Sequence, residues 1–193
     1  MSSGDSQAWV LEAVDLYEPA LLRYARRLLG DVELAADAVQ HAFVQLCGET
    51  RQRLEGREAA WLFRVCRNRA LDHLRRAGRE QTLGDDDDRA AACTLVADRG
   101  PDPATAVERR ELAAALRRLL ADLPPPQREA IDLWCEGFTH REIAAITGRQ
   151  EGHVRVLAHR GLTALRRHPL VQDLLAADRP PPIPPERRSA ARA

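Results

Sequence analysis

The chain has 193 residues, of which 45% are hydrophobic but only 4% aromatic, so its core must consist mainly of Leu, Ala and Val. Alanine and leucine are abundant and β-branched runs are missing, a composition that favours helix over strand. The formal net charge is zero, and all 29 of the Lys and Arg residues are arginine. The zero net charge conceals an uneven distribution of charge along the chain. Arginine is concentrated in residues 57–79 and 141–167, and acidic residues are concentrated in 80–102.

The residue pattern also excludes several classes of protein. It contains no glycine-rich phosphate loop and no nucleophile–base pair, which indicates that the chain is not an enzyme, has no catalytic residues and takes no small-molecule substrate. The four cysteines lack CxxC spacing and no histidine is placed to complete a zinc site, so we expect no metal and no cofactor. These cysteines are Cys47, Cys66, Cys93 and Cys135.

Scattered single cysteines are typical of a reducing cytoplasm. No apolar run reaches the length of a transmembrane helix, and the N-terminus lacks the basic-then-apolar pattern of a signal peptide. We therefore predict a cytoplasmic protein without membrane contact. Cys66 and Cys135 fall in helical apolar patterns and are predicted to be buried thiols.

The first two predicted helices are separated by Gly30 and Asp31, a helix stop followed by a helix cap. Apolar residues recur at three- and four-residue steps over 9–29 and again over 33–47. The core candidates are Leu21, Leu22, Ala25, Leu28, Leu29, Leu34, Ala38, Phe43, Val44 and Leu46. The more polar side of the second helix carries Asp37, Gln40 and His41. Residues 48–56 are polar and bounded by glycine, which predicts a loop.

A third helix is predicted over 57–77, with one apolar face and one arginine-rich face. The apolar arc contains Leu62, Phe63, Cys66, Ala70 and Leu74. The opposite arc contains Arg64, Asn68, Asp72 and Arg75, with Arg69 and Arg76 at its edge. Such a face is either simply solvated or binds nucleic acid, and its arginine bias favours nucleic-acid contact.

Residues 78–103 lose all periodicity and include four consecutive aspartates, which predicts a flexible linker. The acidic run is either a solubilising tract or a mimic of nucleic-acid charge inside a basic channel. A flexible linker would allow both a closed and an open arrangement of the helical units on either side. Helix resumes over residues 104–121.

Three short helices follow, with their boundaries marked in the sequence. Residues 124–126 are prolines, which suit the entrance of the first helix, and Gly137 ends it. The apolar side of this helix carries Ile131, Leu133 and Trp134. Thr139 and Glu142 have the spacing of a capping box at the start of the second helix, which Gly148 closes.

Two short helices joined by a glycine-bearing turn are typical of a helix-turn-helix unit. The last helix of the group directs Val154, Leu157 and Ala158 inward, and its outward residues are Gln150, Glu151, His153, Arg155, His159 and Arg160. Arginine can form paired hydrogen bonds with guanine, glutamine can do so with adenine, and glutamate can accept from cytosine. This helix is therefore predicted to bind DNA.

The two helical units resemble those of the extracytoplasmic-function (ECF) group of bacterial RNA polymerase sigma factors. In the first unit, DAVQHAF (37–43) is similar to the family's polymerase-binding motif, and WLFRVCRNRALDHLRR (61–76) to the helix that binds the promoter −10 element. In the second unit, residues 123–148 are similar to the beginning of the domain that binds the −35 element, and residues 148–167 to its recognition helix.

The resemblance implies an all-α fold of two small helical domains joined by a flexible acidic linker. It covers residues 12–78 and 104–168. The proline-rich C-terminal tail beyond it is either an inert extension or a regulatory segment. The implied bounds are 1–78 for sigma region 2, 79–103 for the acidic linker, 104–169 for sigma region 4 and 170–193 for the tail.

A sigma factor binds core RNA polymerase and directs it to promoter DNA. The polymerase contacts implied by the resemblance are Asp37, Gln40, His41 and Phe43. The implied −10 contacts are Arg64, Asn68, Asp72, Arg75 and Arg76. The implied −35 contacts are Arg149, Gln150, Glu151, His153, Arg155, His159 and Arg160. The loop 48–56 would receive a flipped base, and the family is commonly controlled by anti-sigma factors, which makes one a candidate partner.

The sequence departs from the family at His41, where an acid is usual, and at Val156 and Leu157, which replace positions that are commonly Ser and Arg. Two other functions stay open at this point. A helix-turn-helix regulator would bind a palindromic operator as a dimer without the polymerase, but it leaves the motifs at 37–43 and 61–76 unexplained. An adaptor would use both helical units only to bind other proteins.

Overall fold

The computed structural model describes residues 3–54, 56–81 and 103–177. The four consecutive aspartates, Cys93 and the prolines of the predicted tail lie outside these ranges. Within them all regular structure is helical, which confirms the predicted fold class. The helices are α1 (Ser3–Leu29), α2 (Val32–Leu46), α3 (Arg51–Leu54), α4 (Glu58–Gln81), α5 (Pro103–Ala121), α6 (Pro125–Cys135), α7 (His140–Thr147), α8 (Glu151–Arg166) and α9 (Pro169–Ala177).

The first domain is formed by α1, α2 and α4, which pack against one another in pairs. Gly30 takes φ 68° at the end of α1, a left-handed conformation that glycine adopts without strain. Asp31 then caps α2, because its carboxylate accepts hydrogen bonds from the backbone amides of Glu33 (2.8 Å) and Leu34 (2.9 Å). The predicted stop and cap between the first two helices are confirmed.

Most of the predicted core of this domain is buried, including Leu21, Ala38, Leu62 and Cys66. Two of the candidates are wrong: Val44 is 59% exposed and Leu74 is 40% exposed. Both lie on apolar arcs, but no neighbouring element covers their part of the helix surface. Apolar residues on a helix need not all be buried.

The segment 48–56, predicted to be a loop, contains the short helix α3. This turn buries Leu54 at 6% exposure, while the residues around it stay on the surface. The glycines and polar residues that predicted a loop are compatible with a single helical turn. The apolar contact made by Leu54 gave no periodic signal in so short a segment.

In the second domain, α8 packs on α6 and α7 in a helix-turn-helix arrangement. The capping box is confirmed: the Thr139 side chain accepts from the Glu142 amide, and the Glu142 carboxylate accepts from the Thr139 amide at 2.8 Å. Gly148 ends α7 in the left-handed conformation, with φ 70°. Val154 and Ala158 of α8 are buried as predicted.

Two predictions about α6 are wrong. Trp134 is 48% exposed, and Cys135 is exposed rather than a buried thiol. The side of α6 that is buried carries Glu129 and Asp132 together with Ile131 and Leu133. Two carboxylates therefore occupy interior positions on this helix, for a reason that lies in the other domain.

The two domains pack directly against each other through α1 and α4 on one side and α6 and α7 on the other. The ring of Phe63 meets that of Phe138 edge to face with centroids 4.8 Å apart, and lies 5.2 Å from the ring of Tyr24. Of the closed and open arrangements that the sequence allowed, this structure is the closed one. None of the described helices has both the length and the apolarity to cross a membrane.

Candidate nucleic-acid interface

Helix α4 has two different faces. Its inner face packs in the core, and its outer face carries polar side chains that are exposed to solvent. Leu62, Phe63, Cys66 and Ala70 are buried at 0 to 2% exposure. The five residues predicted to contact the −10 element are all exposed on the other side: Arg64, Asn68, Asp72, Arg75 and Arg76. Within this face, Arg75 donates to the Asp72 carboxylate at 2.9 Å, so a cation is held beside an acid. The face is compact, and its charge is predominantly positive.

The outer face of α8 is similarly exposed. Its predicted −35 contacts lie on the surface, namely Gln150, Glu151, His153, Arg155, His159 and Arg160. Arg155 donates to Glu151 one turn earlier at 3.0 Å, which orients the guanidinium along the helix. The N-terminal part of the helix therefore presents donors and acceptors together, as base recognition in a major groove requires.

Arg149 differs from the other residues predicted to contact the −35 element. Its side chain is only 28% exposed, and its Nη2 lies 4.0 Å from the Glu129 carboxylate. This contact lies within the second domain and places the Arg149 side chain beside α6.

The predicted polymerase face on α2 is tied to α4 through Asp37. The Asp37 carboxylate accepts from Arg69 Nε at 2.9 Å and lies 2.8 Å from His73 Nε2. These two hydrogen bonds lower the pKa of the Asp37 carboxyl. Gln40 is exposed, while His41 and Phe43 are half-buried. The sequence did not predict the bonds from α4, because Arg69 and His73 are more than 30 residues further along the chain.

Comparison with known proteins finds a match for each of the two helical domains. The family model for sigma-70 region 2 matches residues 13–80, and that for sigma-70 region 4 matches residues 113–165. The RNA polymerase sigma factor CarQ of Myxococcus xanthus is 32% identical over 80% of this chain and 89% of its own length. The chain belongs to the ECF sigma factors.

Two relatives that are named ECF RNA polymerase sigma factors show how far the similarity extends. SigW of Bacillus subtilis is 28% identical over 86% of this chain and 91% of its own length. SigE of Mycolicibacterium smegmatis is 34% identical over 80% of this chain, but the match spans only 59% of that relative. A solved structure of the sigma factor RpoE with the anti-sigma factor NepR from Bartonella quintana matches with a TM-score of 0.58 and 25% identity, over 87% of this chain and 97% of that one.

In this ECF sigma factor, region 2 and region 4 meet at an interdomain seam. Its region 2 side consists of Arg23, Tyr24, Arg27, Phe63 and Arg67, and its region 4 side of Glu129, Asp132, Glu136 and Phe138. Glu129 is 7% exposed and receives a hydrogen bond from the Tyr24 hydroxyl (3.1 Å) and two from Arg67 (2.6 and 3.2 Å). The three hydrogen bonds to this buried carboxylate therefore all come from region 2 groups.

The other two carboxylates of the seam have arginine partners on α1. Arg27 bonds both Asp132 (3.2 Å) and Glu136, and Arg23 bonds Glu136 at 2.8 Å. Burial raises the pKa of Asp132 to about 6, although Arg27 and Arg128 act in the opposite direction. Burial, followed by the charge of Glu129, raises the pKa of Tyr24 well above its ordinary value.

The seam was not predicted from the sequence, although part of its signal is visible there. Glu129, Asp132 and Glu136 follow a spacing of three and then four residues, which places them on one face of α6. Arg23 and Arg27 are four residues apart on α1 and share a face in the same way. Nothing in either pattern says that the two faces meet, since 105 residues separate Tyr24 from Glu129.

Proposed function

We propose that this ECF sigma factor binds core RNA polymerase through α2 and directs it to promoters whose −10 element contacts α4 and whose −35 element contacts α8. The observation that carries the proposal is the exposure of both arginine-bearing helix faces, each mounted on a family-matched domain. Both faces are held by buried apolar residues on the opposite side of the same helix. The backbone of each helix is therefore held in place, while the polar side chains of its outer face are open to a ligand.

The outer face of α8 suits base recognition. The Arg155 guanidinium can donate two hydrogen bonds to guanine, and Gln150 can pair with adenine in the same groove. Exposed His159 and Arg160 lie further along the helix and suit phosphate contacts, which fix register without specifying sequence.

On α4, exposed Arg64 and Arg76 supply positive charge, and Asn68 can both donate to and accept from a base. This combination fits a −10 element whose phosphates and bases are both contacted. The turn at α3, adjacent to this face in sequence, is the proposed acceptor of a flipped base.

The polymerase surface comprises Asp37, Gln40, His41 and Phe43 on α2. Asp37 retains 46% side-chain exposure while bonded to Arg69 and His73, so it can still meet a partner. An anti-sigma factor is a further proposed partner, because a structurally similar sigma factor was solved with one. We propose a cytoplasmic protein that has no catalytic activity of its own.

The test is co-elution of the purified chain with bacterial core RNA polymerase, followed by run-off transcription from genomic DNA fragments. We expect a stable complex and new transcripts that core polymerase alone does not make. The double variant Arg64→Ala/Asn68→Ala should co-elute normally but lose these transcripts. Arg166→Ala, which removes an exposed arginine in the last turn of α8 that is not among the proposed −35 contacts, is the matched control and should keep them.

Failure of the chain to co-elute would contradict the proposal. If the purified protein alone then selected a palindromic DNA site, the chain would act as an operator-binding regulator instead.

A further inference from the structure

Val156 is an apolar side chain in the middle of the polar outer face of α8. It lies in the second turn of the helix and is 44% exposed, whereas Val154, Leu157 and Ala158 on the inner side are at most 8% exposed. Those three residues pack in the domain core, so Val156 is not required to hold α8 in place. Single exposed apolar residues are common on protein surfaces and need no function. The surroundings of Val156 distinguish it from such residues.

Helix preference does not account for the valine either. Valine is β-branched and loses side-chain freedom in a helix, so it forms exposed helix less readily than alanine or most straight-chain residues. At this exposed position, neither packing nor helix propensity therefore favours valine. Contact with an apolar group of a ligand would give the side chain a role that it does not have in the free protein.

The face around Val156 is open to close approach. One turn earlier the helix carries Gly152, where an added Cβ would meet no atom within 4 Å. Gly152, Val156 and Arg160 are spaced by four residues and so follow one row along the helix. Because the first position of this row has no side chain, the backbone of α8 can come close to a partner, and a short side chain such as valine can reach it.

The charges around Val156 indicate which partner this face accepts. Arg155 and Arg160 are exposed beside it, and Arg155 donates to Glu151 in the first turn of the helix at 3.0 Å. The valine side chain stays exposed next to this pair. A surface that combines exposed arginines with a central apolar group suits a polyanion that carries apolar groups of its own, and double-stranded DNA is such a partner.

Only one base carries an apolar substituent on its major-groove edge. Thymine has a methyl group at C5, whereas adenine, guanine and cytosine are distinguished by hydrogen-bond donors and acceptors. The N-terminal part of a recognition helix contacts these edges, and Val156 lies in that part of α8. An apolar side chain at this position therefore has one base that it contacts favourably.

We propose that Val156 contacts the C5-methyl group of one thymine in the −35 element and so selects an A·T pair at that position. The inference rests on the proposed function, in which the outer face of α8 binds the −35 element. Val156 adds an apolar contact to the hydrogen bonds that Arg155 and Gln150 offer to bases. It is not one of the −35 contacts that the family resemblance implies.

Three variants of the full chain separate this contact from a structural effect. Val156→Ser removes the methyl groups and puts a hydroxyl in their place. Val156→Ile keeps a β-branched side chain with methyl groups and is the conservative variant. Val32→Ser makes the same change at the start of α2, where the valine is 52% exposed and outside both DNA-binding faces, and is the matched control. Circular dichroism checks that each variant is folded.

The contact is measured by deleting the methyl group of thymine rather than the whole base. The full chain is assembled with core RNA polymerase and bound to a promoter identified by run-off transcription. Each thymine of the −35 element, on either strand, is replaced in turn by deoxyuridine, which lacks the methyl group and forms the same base pair. Competition binding then gives the affinity ratio between the thymine and deoxyuridine promoters for every variant.

We expect one position at which the unchanged protein prefers thymine over deoxyuridine by about fourfold, the effect of burying one methyl-sized apolar group. Val156→Ser should bind the two promoters equally, whereas Val156→Ile and Val32→Ser should keep the preference. A purely structural effect of Val156→Ser would instead lower the affinity for both promoters and leave their ratio unchanged.

Three results would overturn the contact: no preference for thymine at any −35 position, an undiminished preference in Val156→Ser, or a −35 element without an A·T pair. If the chain did not bind core polymerase, the proposed function would fail separately. The same deoxyuridine replacements in DNA that the chain selects alone would then still decide the role of Val156. Failure to select any DNA would overturn that role as well.

Discussion

The interdomain seam and the outer face of α8 are both rich in charged side chains, but the two regions use their charges in opposite ways. In the seam, Glu129 is 7% exposed and bonded to Tyr24 and Arg67 of the other domain. On α8, Arg155 is 67% exposed and bonded to Glu151 of its own helix. Charges of the first kind determine how the domains sit relative to each other. Charges of the second kind cost the fold little and stay available to DNA.

This difference separates substitutions that damage the protein from those that change its specificity. A change in the seam should alter stability or domain arrangement, whereas a change on the outer face of α8 should alter promoter choice alone. The following predictions test that division, beginning with the largest effect.

Phe63→Ala should lower the free energy of unfolding by about 3–5 kcal/mol, because it empties a buried site that contacts Tyr24 and Phe138. Chemical denaturation followed by circular dichroism measures this. Leu74→Ala on the same helix is the control and should cost less than about 1 kcal/mol, since Leu74 is 40% exposed. Equal costs at the two positions would mean that the seam side of α4 is not packed as described.

Arg155→Ala should weaken the preference for one base pair of the −35 element by about 1–3 kcal/mol, the loss expected for one bidentate contact. Competition transcription between promoters that differ at single −35 positions measures it. The free energy of unfolding should change by less than about 0.5 kcal/mol, because the pair with Glu151 is exposed. Unchanged promoter preference would reduce Arg155 to a solvated helix residue.

Two glycines of α8 distinguish its packed side from its open side. A Cβ on Gly161 would come within 2.5 Å of the Ile131 Cδ1 atom, whereas one on Gly152 would meet no atom within 4 Å. Gly161→Ala should therefore destabilise the protein by about 1–3 kcal/mol through overpacking against α6. Gly152→Ala should be neutral or stabilising by up to about 1 kcal/mol, because alanine favours helix. Thermal unfolding measures the stability of both variants. Equal changes in stability for the two would show that Gly161 is not packed against α6 as described.

Asp132 should make the stability of the closed chain depend on pH. Its folded pKa is about 6, above the ordinary aspartate value of 3.8, so the folded protein takes up a proton that the unfolded chain releases. The resulting stabilisation is present at low pH and lost as pH rises through about 6. Relative to Asp132→Asn, the free energy of unfolding should therefore rise by about 1 kcal/mol between pH 7.5 and pH 5. Parallel pH profiles for the two proteins would show that Asp132 is not buried in solution.

The sequence predicted the local structure well where the cause is local. The cap at Asp31, the capping box of Thr139 and Glu142, and the helix end at Gly148 each depend on residues within four positions of one another. The exposed faces of α4 and α8 were also predictable, because helical periodicity places each residue on a known side. Both the family and the two-domain plan followed from motifs in these same helices.

The errors concern contacts made over long separations. Trp134 and Leu74 each share an apolar arc with buried residues. A residue on such an arc is buried only if another element packs over it, and a helical wheel does not show where the other elements lie. Tyr24, Glu129 and Asp132 were missed for the converse reason. Their environment is created by the other domain. A carboxylate on a short amphipathic helix such as α6 gives no local sign that arginines from another domain will surround it.

Because Cys66 is buried, the rate at which its thiol is alkylated measures how often region 2 unfolds. Its thiol is 0% exposed at the centre of α4, and burial raises its pKa to about 12, so that an alkylating reagent can neither reach it nor find it as thiolate in the folded state. Modification must wait until α4 leaves the core. Exposed Cys47 reacts without that delay and serves as an internal reference. The ratio of the two alkylation rates would report how often region 2 unfolds under native conditions, without denaturant and without any substitution in the chain.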